Sequence, residues 1–273
     1  MTTLVHLSDL HFGLDVDLEQ IAQLETFVAA EPPNAVVITG DLTQRARHGE
    51  FQRALVFVER IRSFAPTLVI PGNHDVQWWE SPFDLSGSDR KHAKYRTYFG
   101  DDLTPTLELP GLCIASVLTS HGVAWGSMTW KFWRDTAVKG HLAADEVGRI
   151  RAVFARQPAG TIKAVALHQN VLRGEISSRM GLAGWREATR RLDASGADLI
   201  LCGHDHQEGI GRLDGGAVVA TAGTLTRRTR GSRPSAFNLI TIKGDAIVVQ
   251  HQTWNAGERH FEPGATKTFP RAQ

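Results

Sequence analysis

The chain has 273 residues, a formal net charge of +1 at pH 7 and 42% hydrophobic residues. This length allows a substantial core, in one large α/β domain or two small ones, and the charge balance gives no electrostatic indication of a nucleic-acid or membrane partner. No apolar run approaches the ~20 residues that span a bilayer, and chemistry-bearing residues start at Asp9, which leaves no room for a cleavable leader. We therefore expect a cytoplasmic protein, with Cys113 and Cys202 reduced and buried.

The first 75 residues alternate strand-like and helix-like segments. Apolar runs predict three buried strands, at 3–7, 35–39 and 67–70. Apolar residues at helical spacing predict two helices, over 18–30 and 50–64, each ended by proline. Such alternation implies crossover connections and a largely parallel sheet, in which ligands bind beyond the carboxyl ends of the strands.

The rest of the chain continues this pattern less regularly. Further strands are predicted at 113–117, 162–167 and 197–202, and further helices at 143–155 and 185–194. Three other segments have a distinct composition: 120–140 is rich in aromatic residues and predicts a loop or cap, 217–250 predicts a second, more antiparallel sheet, and the polar tail, about 254–273, predicts a frayed end. No internal repeat or clear boundary divides the chain, so we predict a single domain over 1–273.

Short polar motifs follow the predicted strands. In chain order they are Asp9-Leu10-His11, Gly40-Asp41, Gly72-Asn73-His74-Asp75, His168 and Gly203-His204-Asp205-His206. Carboxylate and imidazole groups together suit divalent transition metals, whereas an all-oxygen set favours calcium or magnesium. The glycines are expected to form tight turns that leave no Cβ in the way of the site.

This order of motifs resembles the calcineurin-like metallophosphoesterase superfamily, over about residues 4–206. Within it, the length and the segment Gly40-Asp41-Leu42-Thr43 are most similar to the bacterial class III cyclic-nucleotide phosphodiesterases. The resemblance implies a four-layer α/β/β/α sandwich with two mixed sheets. It also implies two divalent metal ions, with manganese, iron or zinc as the expected kinds.

Carried over position by position, the resemblance implies the following roles. Asp9, His11 and His206 hold the first metal, Asn73, His168 and His204 hold the second, and Asp41 bridges the two. His74 stabilises charge or protonates the leaving oxygen, and Asp75 is expected to orient the His74 imidazole. The chain departs from the family at Gln169 and Asn170, where a second histidine and a proline are usual, so the resemblance assigns no substrate contact to these two residues. Asp205 lies between two predicted ligands and is expected to point elsewhere.

Other side chains are candidates for substrate contacts. Arginines that could meet a phosphate or nucleobase are Arg134, Arg173, Arg179, Arg227 and Arg228, although solvated surface charge is the alternative for each. Tryptophans that could line a cap, a dimer contact or the core are Trp78, Trp125, Trp130 and Trp133.

The preferred function is that of a metal-dependent phosphoric ester hydrolase acting on phosphodiester bonds of a small soluble substrate, with 3′,5′-cyclic nucleotides as the first candidates. One alternative is a pyrophosphatase resembling the UDP-diacylglucosamine hydrolases, with 125–134 as an acyl-chain contact. A nuclease would call for a basic groove, which a near-neutral chain does not indicate. A catalytically silent scaffold need not keep all seven predicted ligands and His74. Neither nucleic acid nor a membrane is an expected partner, and a homodimer is left open.

Overall fold

The computed structural model describes residues 1–13, 16–77, 88–122, 139–227 and 229–271. The strands among them are β1 (Thr2–Leu7), β2 (Ala35–Ile38), β3 (Thr67–Val69), β4 (Thr106–Leu109), β5 (Leu112–Ser116), β6 (Ile162–Ala166), β7 (Leu199–Cys202), β8 (Gly209–Arg212), β9 (Val218–Thr221), β10 (Ala236–Lys243), β11 (Ala246–Asn255) and β12 (His260–Pro270). The helices are α1 (Leu18–Ala30), α2 (His48–Arg62), α3 (Ser88–Lys91), α4 (Ala93–Phe99), α5 (Ala144–Ala155) and α6 (Trp185–Asp193), and a 3-10 turn covers Asn73–Asp75.

The strands form two six-stranded sheets, in the orders β12-β11-β10-β1-β2-β3 and β4-β5-β6-β7-β9-β8. In the first sheet β1, β2 and β3 run parallel, while β10, β11 and β12 are antiparallel. In the second sheet β5, β6, β7 and β9 run parallel, and β4 and β8 pair antiparallel at the edges. Both sheets are mixed, as predicted.

Alternating side chains along β1 show how the layers stack. Val5 and Leu7 pack in a core with the buried faces of α1 and α2, whereas Leu4 packs with Ile114 and Leu199 of the other sheet. A third core joins the second sheet to α5 and α6. The order is therefore helices, sheet, sheet, helices, and the predicted four-layer α/β fold is confirmed.

Local sequence explains the helix that follows β1. The Asp17 carboxylate caps α1 by accepting from the Glu19 amide at 3.1 Å, which satisfies one of the unpaired N–H groups of the first turn. Ile21, Leu24 and Val28, at helical spacing, are the apolar side chains that α1 buries.

The prediction of a second, more antiparallel sheet over 217–250 holds for the antiparallel pair β10 and β11 but is wrong for β9. β9 pairs parallel with β7, with Leu201 opposite Ala220, and so extends the second sheet. β10 pairs antiparallel with β1, with Val5 opposite Leu239, and so extends the first. The two neighbouring segments therefore belong to different sheets, because β9 pairs with the nearby β7, whereas the partner of β10 lies near the start of the chain.

The prediction of a frayed tail is also wrong. β12 pairs with β11 along most of its length, and Phe261 packs against Phe237 and Trp254. Arg271 then donates to Asp198 of the other sheet at 2.8 Å. The tail is polar because β12 is an edge strand with mostly exposed side chains, a pattern that looks like disorder in the sequence.

Several expectations fall on residues outside the described ranges. Most of the predicted cap, 120–140, lies there, as do all four candidate tryptophans together with Arg134 and Arg228. Cys113 and Cys202 are free and buried, as expected. Within the described part of the chain, no helix combines the length and apolarity needed to cross a membrane.

Candidate metal centre

The predicted ligands lie on tight turns at the carboxyl ends of strands from both sheets. Two backbone bonds lock the turns after β1 and β2 together: the Asp9 amide donates to Gly40 O at 3.0 Å, and the His11 amide donates to Asp41 O at 2.9 Å. Five predicted ligands adopt the left-handed backbone region, with φ between 44° and 73°: Asp9, His11, Asp41, His204 and His206. This conformation is unfavourable for residues with a Cβ, and such positions concentrate at functional sites.

Four side chains form the first donor cluster, and their ligand atoms lie within 4.8 Å of one another: Asp9, His11, Asp41 and His206. The Nε2 atoms of His11 and His206 are 2.9 Å apart, and His206 Nε2 lies 3.3 Å from Asp9 Oδ1. Among the described residues this buried carboxylate oxygen has no hydrogen-bond partner, whereas Asp9 Oδ2 accepts from the His204 amide at 2.8 Å.

Three side chains form the second donor cluster. Asn73 Oδ1 lies 3.0 Å from His168 Nε2 and 2.9 Å from His204 Nδ1, and the two imidazole nitrogens are 3.3 Å apart. Asn73 comes from the turn after β3, while the two histidines follow β6 and β7. The second cluster therefore joins the two sheets.

Asp41 lies between the clusters. Its Oδ2 is 3.7 Å from His11 Nε2 in the first cluster, and its Oδ1 is 3.3 Å from His168 Nε2 in the second. Asp41 Oδ1 also accepts from the His74 amide at 2.8 Å, which fixes the carboxylate between the two groups. The structure thus brings all seven predicted ligands together, in the two predicted groups and with the predicted residue between them.

The donor atoms fit a pair of cations. His168 Nδ1 donates to the Thr39 carbonyl at 2.7 Å, so its Nε2 faces two acceptor oxygens, those of Asn73 and Asp41. Such an arrangement needs a proton or a metal ion between nitrogen and oxygen. The unpartnered Asp9 Oδ1 gives the first cluster the same need, because a buried charged oxygen without a partner is costly.

The pKa values of these groups reflect burial and mutual charge. Burial lowers the pKa of His204 to about 3 and also lowers that of His11. Burial opposes ionisation of Asp41 as well, but His168 and His74 hold its pKa below the usual range. For His168, burial disfavours the charged form, yet the Asp41 carboxylate raises the pKa to about 9. A proton and a metal ion therefore compete for His168 Nε2.

His74 stands at the edge of the first cluster, with its ring edge-on to that of His11 at 4.7 Å. His74 Nδ1 lies 2.8 Å from the Gln44 carbonyl, which can only accept, so Nδ1 carries a hydrogen.

The expectation that Asp75 orients this ring is wrong. One Asp75 oxygen accepts from the Leu42 and Gly72 amides at 3.1 and 2.9 Å, and the other accepts from the Thr43 amide and hydroxyl, both at 2.9 Å. Asp75 instead ties the turn after β3 to the turn after β2.

Sequence reasoning missed the groups behind the ligands. The carbonyls of Thr39 and Gln44 hold His168 and His74, and a backbone carbonyl leaves no signal in the sequence.

Thr39 is in turn held by His6, whose Nε2 lies 3.1 Å from the Thr39 hydroxyl. His6 Nδ1 accepts from Asn238, and Asn238 accepts from His251 at 2.6 Å, so the chain of hydrogen bonds continues into β10 and β11. The Thr224 hydroxyl donates to Asp9 O at 2.7 Å.

An open cleft of about 230 Å³ lies over the clusters. Its lining includes Asp41, Asn73, His74, Lys139, Asn170, Arg179, Met180, Gly181, His204, Asp205, His206 and Arg230. The Asp205 carboxylate accepts from Ser177 at 2.6 Å and points away from the first cluster, as expected. Gln169 meets the Ser120 hydroxyl, and Asn170 donates to the Leu172 carbonyl.

The candidate arginines that the structure describes have different settings. Arg179 lines the cleft. Arg173 lies over the Trp185 ring and donates to Ser178 O. Arg227 is 73% exposed, and its Nε is 3.7 Å from Asp17.

A four-layer sandwich with carboxylate and imidazole donors at its strand ends is the arrangement of a metal-dependent phosphoesterase. A family profile described as calcineurin-like phosphoesterase matches residues 2–208, about three quarters of the chain, so the chain belongs to that family. The predicted resemblance to the calcineurin-like phosphoesterases is therefore confirmed.

Individual relatives agree with this family. The chain is 28% identical over 172 residues to the glycerophosphodiester phosphodiesterase GpdQ of Enterobacter lignolyticus, a match that spans 57% of the chain and 56% of that protein. The fold is similar to that of a dimetal phosphatase from Danio rerio (TM-score 0.68, 13% identity, 99% of each chain). It is also similar to the purple acid phosphatase PPD1 of yellow lupin (TM-score 0.67, 12% identity, 99% of this chain and 54% of that one). At these identities the structural likeness concerns the fold alone.

Proposed function

We propose that the chain hydrolyses phosphodiester bonds of a small soluble substrate, with 3′,5′-cyclic nucleotides as the first candidates. The observation that carries the proposal is the pair of donor clusters on either side of Asp41, with His74 beside them in one cleft. The size of the cleft favours a small substrate, because pockets for drug-sized ligands measure roughly 300–1,000 Å³. The GpdQ relative adds glycerophosphodiesters to the substrates worth testing.

Two groups of residues would hold the metals. Asp9, His11 and His206 would bind the first ion, Asn73, His168 and His204 the second, with Asp41 shared. Bound together, two such ions activate water at neutral pH and neutralise charge on the phosphoryl oxygens. The mixed oxygen and nitrogen donors suit manganese, iron and zinc alike.

The chain's own residues then orient the reaction. The His74 amide holds the shared Asp41 carboxylate, so the residue that carries the imidazole also positions this carboxylate. Because His74 Nδ1–H is engaged by the Gln44 carbonyl, a second proton on this ring resides on Nε2. We assign His74 the role of donating that Nε2 proton to the leaving oxygen, as a general acid. Asp75 supports this role only through the backbone, by fixing the turn that carries His74.

A hydrolysis panel on the metal-reconstituted chain tests the proposal. It compares bis-p-nitrophenyl phosphate, p-nitrophenyl phosphate, cyclic nucleotides, a glycerophosphodiester and a UDP-linked lipid. We expect the diesters to be hydrolysed with a higher kcat/KM than the monoester. Detergent-dependent activity on the lipid alone would favour the pyrophosphatase alternative, and failure to bind manganese, iron or zinc would favour a silent scaffold.

A further inference from the structure

We propose that Arg179 and Arg230 form a second anion-binding subsite in the cleft, and that the substrate is therefore a phosphodiester carrying an additional phosphate or carboxylate group. This inference rests on the proposed function and narrows its substrate class. Outside the predicted metal ligands, the charged residues that line the cleft are Lys139, Arg179, Arg230 and Asp205. The two arginines thus outnumber the one carboxylate, Asp205.

Arg230 is anchored beside the metal centre. Its Nε donates to the Asp205 carbonyl at 2.7 Å and lies 3.5 Å from Asp205 Oδ1. Asp205 sits between the predicted ligands His204 and His206, so this bond fixes the arginine stem next to both clusters. The Asp205 carboxylate already accepts from Ser177 and Gln207, so it is shared among several donors. Within the described residues, the terminal Nη groups of Arg230 have no bond to a protein acceptor, which leaves them available to an anion.

Arg179 has a fixed backbone and an exposed head group. Its carbonyl accepts from the Asn170 side chain and from the Gly174 amide, both at 3.1 Å, and its amide donates to Ser177 Oγ at 3.1 Å. A Cβ on Gly174 would overlap with the Asp205 carboxylate, so this loop packs tightly against the turn between the metal ligands. The Arg179 guanidinium is exposed and makes no ion pair with any described residue. A guanidinium on an anchored backbone is well suited to bind a carboxylate or phosphate through two parallel hydrogen bonds.

The charge balance argues for an extra anion on the substrate. A simple phosphodiester carries one negative charge, which the metal centre attracts. Arg179 and Arg230 then keep an excess of positive charge over Asp205 in the same cleft. An additional carboxylate or phosphate would complement this excess, whereas a neutral substituent would leave it unmatched.

A matched pair of chromogenic diesters tests the subsite: 4-nitrophenyl 3-carboxypropyl phosphate and 4-nitrophenyl butyl phosphate, which share the leaving group and differ in the terminal charge. For the wild type we expect kcat/KM to be about 10-fold or more higher for the charged diester, as for a charge-assisted hydrogen bond. The ratio should fall towards one in Arg179→Met and in Arg230→Met, and recover in part in Arg179→Lys. The control is Arg190→Met, because Arg190 is 77% exposed and does not line the cleft. A third diester with a terminal phosphate in place of the carboxylate identifies the preferred anion.

Binding of non-hydrolysable ligands separates this inference from the proposed function. Isothermal titration of the manganese-loaded chain compares 3-phosphonopropionate with propylphosphonate, and the wild type should prefer the former by a margin that Arg179→Met removes. Hydrolysis of both chromogenic diesters at equal kcat/KM would refute the proposed subsite but would still support the proposed hydrolase function. Absence of hydrolysis of every substrate would refute the proposed function. The titration would then test the subsite on its own, and equal affinities for the two phosphonates would refute the subsite.

Discussion

Replacing His6 by glutamine should make the protein less sensitive to acid. His6 is fully buried, and this burial lowers the pKa of its imidazole from 6.5 to about 3. The folded state therefore keeps His6 neutral, while the unfolded chain protonates it below pH 6.5. The stability that depends on the neutral ring is complete above pH 6.5 and is lost progressively as the pH falls towards 3.

The size of the effect follows from proton linkage. Between pH 6.5 and 3 the unfolded chain binds one more proton at His6, so the free energy of unfolding falls by about 1.4 kcal/mol per pH unit on this account alone. From pH 6.5 to 4.5, His6 should contribute a loss of roughly 2–3 kcal/mol. Glutamine cannot titrate, so His6→Gln removes this contribution, although it also disturbs the bonds to Thr39 and Asn238 and lowers stability at neutral pH.

The assay is urea unfolding of the EDTA-treated chain at several pH values between 7 and 4.5, followed by the fluorescence of its seven tryptophans. The readout is the slope of unfolding free energy against pH, which should be shallower in His6→Gln than in the wild type. His260→Gln serves as the control, because His260 is exposed on β12 and its replacement should leave the slope unchanged. Equal slopes for His6→Gln and the wild type would refute the reasoning, whatever the stability at pH 7.

Three further predictions concern the metal centre and its support. His74→Ala should keep its metals, measured by elemental analysis, while kcat falls about 10²–10⁴-fold, as for loss of a general acid; a metal-free variant would contradict its role. Thr43→Val should lower the free energy of unfolding by about 1–3 kcal/mol in urea, because it removes a donor from buried Asp75, and an unchanged midpoint would show that this bond contributes little. The affinity for manganese should rise from pH 7 to 9, by up to about tenfold per pH unit. The reason is that Asp41 raises the pKa of His168 to about 9, so a proton competes with the metal for His168 Nε2. A manganese affinity that does not change with pH would argue against this competition.

The sequence predicted the parallel strands β1, β2 and β3 and the placement of the strand-end motifs, because both depend on local periodicity. Asp9, Asp41 and Asn73 follow consecutive strands of one parallel ladder, so their proximity follows from topology. The pairing of β10 with β1 could not be predicted in this way, since nothing local identifies a partner more than two hundred residues away. β12 was mistaken for a frayed tail because an exposed edge strand buries little apolar surface.

The groups that hold the ligands were beyond sequence reasoning for a different reason. The carbonyls of Thr39 and Gln44 act through the backbone, which every residue possesses. Asp75 was assigned to its neighbour His74 on proximity in the chain, but its carboxylate turns inward to the amides of Leu42, Thr43 and Gly72. The sequence shows which residue occupies a turn, but the direction of its side chain depends on the surrounding fold and could not be predicted.

The most direct test of the binuclear centre is the electron paramagnetic resonance spectrum of the chain loaded with two equivalents of Mn²⁺. With Asp41 shared between two adjacent ions, the wild type should give a spin-coupled signal, and Asp41→Asn should weaken or abolish that coupling. A wild-type spectrum of isolated, uncoupled Mn²⁺ would mean that the seven side chains do not hold a pair of ions.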